Sequence, residues 1–265
     1  MPKKLSLIVP AYNKDSEVFQ SVCGFVQALK QLPYDWEIVV VDDASRDKTL
    51  REALRSKKFN GNTHRIKVFS YNLNQGKGFA LYYGFRQSQG DIILFADCDF
   101  DLPSENIPVI LENFTKTKAD ITIGSKRHPL SLVHYPLMRK IMSKTYQLIV
   151  KGLFNLNVSD TQVGLKCFKR EVLESCFPRI VVKRFAFDLE LLVVARSQGF
   201  KKVTEAPIIL KYNFTSTVTF KAIKEILIDT LAVFYRKNLL NYYQTNHFQL
   251  EETEIQLSPL QKVIV

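Results

Sequence analysis

No window of this 265-residue chain approaches twenty apolar residues without a charge, so no segment is predicted to cross a bilayer as a helix. The apolar run in MPKKLSLIVP is too short for a secretory signal. Cysteine is scarce and scattered (Cys23, Cys98, Cys167, Cys176), with no C-x-x-C pair and no metal-ligand spacing. That argues against a disulfide framework and predicts reduced thiols in a cytosolic compartment. Both the Walker spacing and the G-x-G-x-x-G fingerprint are missing. No RNP-like aromatic motif or recognition-helix signature is present either, so nucleic acid is not an expected partner.

What the chain has in excess is positive charge. A net charge of +11 and a pI near 9.4 point to an anionic partner such as a phosphorylated substrate or a membrane surface. Apolar residues at 46% and charged residues at 24% suffice for a real core, and the length suits one large α/β domain with or without an appendage.

The stretch Asp91 to Pro103, DIILFADCDFDLP, is the centre of the pattern. A short apolar strand, Ile92 to Ala96, runs into Asp97, Asp99 and Asp101, and alternate residues of an extended chain face one side. Three such anions repel one another. A hard divalent cation, Mg²⁺ or Mn²⁺, would relieve that repulsion and share its oxygen ligands with substrate phosphates. Read alone, the triplet equally suits a loop capping a helix at Pro103-Ser104-Glu105.

Its surroundings repeat one unit. Leu5 to Pro10 reads as a buried parallel strand, followed by the Pro10-Ala11-Tyr12-Asn13 turn and a helix from Ser16 to Gln31. Trp36 to Val41 discharges into Asp42 and Asp43 before a helix start with Ser45 or Asp47 as N-cap. A third strand, Ile66 to Ser70, precedes Gly76-Lys77-Gly78 and a helix from Phe79 to Gln87. Four strands alternating with helices predict a mostly parallel sheet, a Rossmann-like α/β fold with right-handed crossovers. Ligands bind outside the carboxyl ends of such strands, so Tyr12, Asp42, Asp43, Lys77 and Asp97 should gather on one rim. Together they offer an aromatic face, carboxylates, a lysine and metal ligands: the parts of a nucleotide-diphosphate site.

The series LSLIVPAYN, VVVDDAS, NQGKGFALYYGF and DIILFADCDFDLP resembles the family 2 inverting glycosyltransferases of GT-A fold. With ITIGSKR, DTQVGLKCFKRE and FAFDLELL it resembles the polyprenyl-phosphate sugar synthases, which include the dolichyl-phosphate mannose and glucose synthases. The likeness covers residues 4 to 212, about four fifths of the chain. It implies a donor site taking in Pro10, Ala11, Tyr12, Asn13, Asp42, Asp43, Gly76, Lys77, Asp97, Cys98, Arg127 and Lys211, with Mg²⁺ or Mn²⁺ on Asp97, Asp99 and Asp101. Asp99, Arg127, Asp160, Gln162 and Asp188 are the implied catalytic residues, and Arg127, Arg139, Lys140 and Ser143 the implied holders of an acceptor phosphate. Three departures stand out: Lys14 where the family has Glu, Asp101 where the mannose synthases commonly have Gln, and Phe214-Thr215-Ser216-Thr217 where a lid lysine is usual.

Between Lys126 and Arg170 nine Lys or Arg face a single acid, Asp160. A helix from Tyr135 to Phe154 there carries Leu137, Ile141, Leu148 and Ile149 on one side and Lys140, Lys144 and Lys151 on another. It suits either a packed helix with a solvated basic face or a helix lying on anionic lipid. Transfer to a sugar hydroxyl needs a general base, whereas a lipid phosphate arrives already ionised. The cationic supply favours the phosphate. The expected enzyme therefore moves a hexose from GDP-mannose or UDP-glucose to a polyprenyl or dolichyl phosphate, peripherally on the cytoplasmic face of the cell membrane. The alternatives are a family 2 transferase with a glycan acceptor and a catalytically silent nucleotide-sugar-binding protein. By domain, residues 1–125 form the nucleotide half, 126–212 the acceptor half, 213–244 amphipathic membrane-surface helices, and 245–265 a mobile tail.

Overall fold

Apolar residues of one short strand reach both faces of the sheet, and this decides the layering. In β1 (Lys4–Ala11), Leu5, Leu7 and Val9 pack into one core and Ile8 into another, the alternation that a doubly covered strand requires. The structure, a computed structural model, describes residues 4–61, 64–133, 137–183, 186–211 and 220–244, without the side-chain surroundings of 137–140 and 220–223. The lid segment Phe214 to Thr217 and the 245–265 tail lie outside the described residues.

After β1 come α1 (Val18–Lys30), β2 (Asp35–Asp42), α2 (Thr49–Phe59), β3 (Ile66–Ser70), α3 (Lys77–Gln87), β4 (Ile92–Phe95), α4 (Asn106–Thr117) and β5 (Ile121–Ser125). The second half supplies β6 (Leu132–Val133), α5 (Leu137–Phe154), β7 (Lys166–Lys169), α6 (Arg170–Cys176), a 3-10 turn Phe177–Arg179, α7 (Phe187–Ser197), β8 (Val203–Pro207), β9 (Ile209–Leu210) and α8 (Phe220–Asn238). The main sheet has the order β3-β2-β1-β4-β7-β5-β8. Every pairing in it is parallel except those of β7, which runs against both β4 and β5. β6 and β9 form a small parallel ribbon apart from it.

One face is covered by α1 and α4, whose Val22, Phe25, Ile110 and Phe114 pack on Leu7, Val40 and Leu94. The other carries α3, α6 and α7, with Phe85, Leu173 and Leu191 against Ile8, Ile93 and Phe168. Each such apolar side chain contributes about 1.5–3 kcal/mol on burial. The parallel β1 to β4 units follow the sequence expectation. The antiparallel β7 does not: the sequence predicts no strand there, because four residues with a buried lysine among them carry no period. From Pro207 to Leu210 the chain forms the end of β8 and the short β9.

α5 also departs from a packed amphipathic helix. Gln147, Val150 and Phe154 are buried, while Ile141, Leu148 and Ile149 are exposed, Leu148 by 70%. α8 packs on α5 through Phe154 against Phe234 and a Tyr146 to Thr230 hydroxyl contact of 3.1 Å. It also turns Leu227, Ile228, Leu231 and Tyr235 outward.

Candidate active site

The carboxyl ends of β1, β2 and β4 and the start of α3 meet on one edge, as parallel register dictates. Two loops there are stitched together. Asn13 adopts a left-handed backbone with φ 51° and donates its N–H to Ser45 Oγ at 2.9 Å, while its own Oδ1 accepts Arg46 N–H at 2.9 Å. Lys14 N–H donates to Thr49 Oγ1 at 2.6 Å. Tyr12 stands on this platform 43% exposed, an aromatic face open to a base. Pro10 is half-buried and Ala11 buried beneath it.

Asp42 and Asp43 reach the same edge, but their carboxylates turn inward. Asp43 accepts Tyr71 Oη–H at 2.7 Å, Asn74 Nδ2–H at 2.9 Å, Gln75 N–H at 2.7 Å and Gly76 N–H at 2.9 Å. Asp42 accepts Ser70 Oγ–H at 2.7 Å and Ser45 N–H at 3.3 Å. A carboxylate with this many donors is satisfied. Asp43 thus shapes the loop that delivers Gly76, whose φ of 93° favours glycine, and Lys77. Cys98 is also turned away: its thiol lies in the α1 core, where burial pushes it up to about 12.

Lys77 leads into a row of opposite charges. Its Nζ lies 2.7 Å from Asp97 Oδ1 and 3.6 Å from Asp188 Oδ2, and Lys166 Nζ lies 2.6 Å from Asp188 Oδ1. Lys166 is completely buried and also donates to the Val163 carbonyl. Burial depresses Lys166, whereas the two lysines hold the Asp188 carboxyl below its usual range against the cost of its own burial. Burial likewise opposes the charge on Lys77, yet Asp188 and Asp97 raise it. The backbone of Gly164 lies against Asp97 and leaves no room for a Cβ beside Asp97 Oδ2, which also accepts Lys77 Nζ–H at 3.0 Å.

Asp99 is pushed up to about 6, by burial first and then by the neighbouring Asp97 and Asp101 charges; Lys14 and the Leu102 N–H oppose the rise. Lys211 joins this loop through its N–H to the Asp101 carbonyl, 2.9 Å. Among the described residues no three His, Cys, Asp or Glu side chains converge as a ready cation site. The acids therefore fit a divalent ion only if the nucleotide completes its shell, the usual way Mg²⁺ binds through one or two carboxylates and substrate phosphates.

Arg127 follows β5. Its guanidinium donates to the Ser159 carbonyl and, at 3.0 Å, to Ser143 Oγ on α5. It borders a cavity of about 390 Å³ whose other walls include Lys144, Lys151, Leu148, Leu156 and Val158. Glu205 on β8 fixes the floor by accepting Ser159 N–H at 2.6 Å and Asp160 N–H at 3.2 Å. Asp160 lies 3.4 Å from Lys126 Nζ, and its Oδ1 accepts the Gln162 N–H at 3.1 Å. The side chains of Arg139 and Lys140 lie outside the described residues. Sequence reasoning missed Tyr71, Asn74, Gly164, Lys166 and Glu205; of these, Asn74 inside NQGKGFALYYGF and Gly164 and Lys166 inside DTQVGLKCFKRE carried a signal.

The family model for glycosyl transferase family 2 matches residues 6–177. A dolichyl-phosphate beta-glucosyltransferase of Trichomonas vaginalis is 31% identical over 251 residues, spanning 89% of this chain and 75% of its own. The Saccharomyces cerevisiae and Homo sapiens dolichyl-phosphate beta-glucosyltransferases are 27% and 28% identical, over 77% and 80% of this chain and 66% and 68% of theirs. The chain thus spans about two thirds to three quarters of these relatives. In fold it is similar to glucosyl-3-phosphoglycerate synthase of Mycobacterium tuberculosis, solved with Mn²⁺ and UDP, at a TM-score of 0.68, 15% identity, and coverage of 89% of this chain and 80% of that one. The sheet with its helical layers is accordingly a GT-A fold, and the chain belongs to glycosyl transferase family 2, of the dolichyl-phosphate sugar synthase type.

Proposed function

We propose that the protein transfers glucose from UDP-glucose to a dolichyl or polyprenyl phosphate, with inversion. One observation carries the acceptor. The acids next to the donor edge on the acceptor side are paired with lysines: Asp188 lies between Lys77 and Lys166, and Asp160 Oδ2, which accepts no hydrogen bond among the described residues, lies 3.4 Å from Lys126 Nζ. A sugar hydroxyl would need one of them as general base. A phosphate acceptor needs none. One of its oxygens attacks the sugar C1 as the bond from C1 to the donor phosphate oxygen breaks, and UDP leaves with the electron pair.

Tyr12 offers a face for the uracil, and Lys77 and Arg127 supply positive charge on the two sides of the reacting centre, stabilising charge as it develops. Asp99, with Asp97, would hold Mg²⁺ or Mn²⁺ shared with the donor; the ion supplies Lewis-acid relief of the leaving diphosphate. Arg127, Lys144 and Lys151 would take the acceptor phosphate, and Leu148, Leu156 and Val158 the first units of its chain. The glucose assignment leans on the three named relatives. No helix among the described residues is long and apolar enough to cross a membrane. The outward Ile141, Leu148, Leu227 and Leu231, flanked by lysines, suit docking on an anionic surface.

Radiolabelled UDP-glucose, Mn²⁺ and dolichyl phosphate are expected to give label that partitions into butanol, and GDP-mannose to give much less. Label that stays in water would refute the lipid acceptor.

A further inference from the structure

The row Asp97, Lys77, Asp188, Lys166 is fixed at one end and loose at the other. Lys166 is wholly buried and Asp188 nearly so, whereas Lys77 and Asp97 keep 31% and 27% of their side-chain surfaces open. Gly164 lies against Asp97 and leaves no room for a side chain there. The Lys77 ammonium rides on a flexible four-carbon stem. Lys166 occupies Asp188 Oδ1 and leaves Oδ2 facing Lys77 at 3.6 Å, against 2.7 Å for Asp97 Oδ1. A divalent ion bound at Asp97 would meet a lysine already in contact with that carboxylate. Two cations on one carboxylate repel, and a second berth for the lysine stands within about an ångström of travel.

We propose that Lys77 is an exchangeable counterion: it neutralises Asp97 in the donor-free site and passes to Asp188 when a divalent cation and the nucleotide diphosphate take Asp97. Lys166 is the positioning residue that keeps Asp188 in place to receive it. This rests on the donor-site reading above. A purely structural ion-pair row would not need a half-buried outer member with two partners at unequal distance. The exchange breaks no bond and moves no proton.

Titrating MnCl₂ into the full chain, with free Mn²⁺ followed by electron paramagnetic resonance with and without UDP, tests it. In the wild type UDP should tighten Mn²⁺ binding at least about tenfold, a coupling of ordinary size between two ligands; no tightening would remove the donor-site reading and this inference with it. Lys77→Met should bind Mn²⁺ without UDP about fivefold or more tighter than the wild type, since the competitor is gone. Equal or weaker binding in that variant, with UDP coupling intact in the wild type, overturns the exchange alone. The double variant Asp188→Asn, Lys166→Met removes the berth together with its partner and should weaken Mn²⁺ binding in the presence of UDP about tenfold. Should it not fold, Lys77→Met decides; if it folds and binds as the wild type does, the exchange is wrong.

Discussion

Asp99 is the residue whose protonation couples most directly to the proposed chemistry. Its carboxyl titrates at about 6 in the fold, against about 4 for an unfolded aspartate. Between those values the native state holds more protons than the unfolded one, so stability should fall as pH rises from 4 to 6. Asp99→Asn should melt roughly 2 °C or more above the wild type at pH 7 in chelator, lose that margin near pH 4, and transfer no sugar. A melting difference independent of pH would contradict the assignment. Gly164→Ala should keep the fold but displace Asp97, lowering kcat/KM about a hundredfold, the scale of an ångström misplacement. Asp97 and Asp99 stood out in the sequence only through the motifs around them, because alternate acids after an apolar strand suit a helix-capping loop equally well. Whether a carboxylate is free was not legible. Asp43 shares the Asp97 setting at a strand end, yet it is consumed by Tyr71, Asn74, Gln75 and Gly76, donors that become its neighbours only once β2 and β3 pair.

The first four strands and their helices could be read from period and turn chemistry, since parallel units bury continuous apolar runs. α5 and α8 could be read as helices but not by face, because one apolar stripe suits a core or a lipid surface equally. Glu190 shows how the C-terminal helix is held. Buried on α7, it accepts Arg236 Nη2–H at 3.0 Å, Tyr243 Oη–H at 2.5 Å, and the Val181 and Val182 N–H groups at 3.0 and 2.7 Å. Glu190→Gln exchanges an ionised acceptor for a neutral amide at four bonds and should cost about 2–3 kcal/mol. Hydrogen exchange should quicken in α8 and around residue 181 while β1 and β2 stay protected. Uniform quickening across the sheet would show that Glu190 supports the whole fold and not this one attachment.

Across the whole molecule the charge is uneven, and the exposed apolar residues of α5 and α8 lie in or beside its most basic part. Binding to vesicles containing phosphatidylserine should exceed binding to neutral vesicles and weaken with salt. Each lysine near such a surface contributes about 1 kcal/mol, so Lys144→Glu with Lys151→Glu should lower partitioning at least about tenfold. Equal binding to both vesicle types would argue against this surface.

β7 runs opposite to its neighbours and pairs Lys166 with Phe95. The other six strands of the sheet run outward toward the reacting edge, while this one begins there, so residues 160 to 165 reach the chemistry on the way into the sheet. An insertion after β1 or β2 can be absorbed by a longer loop, but one before Lys166 has no slack to fill. Relatives that differ in the sugar they carry should therefore vary in length on the outgoing loops and hold this incoming segment to a constant count.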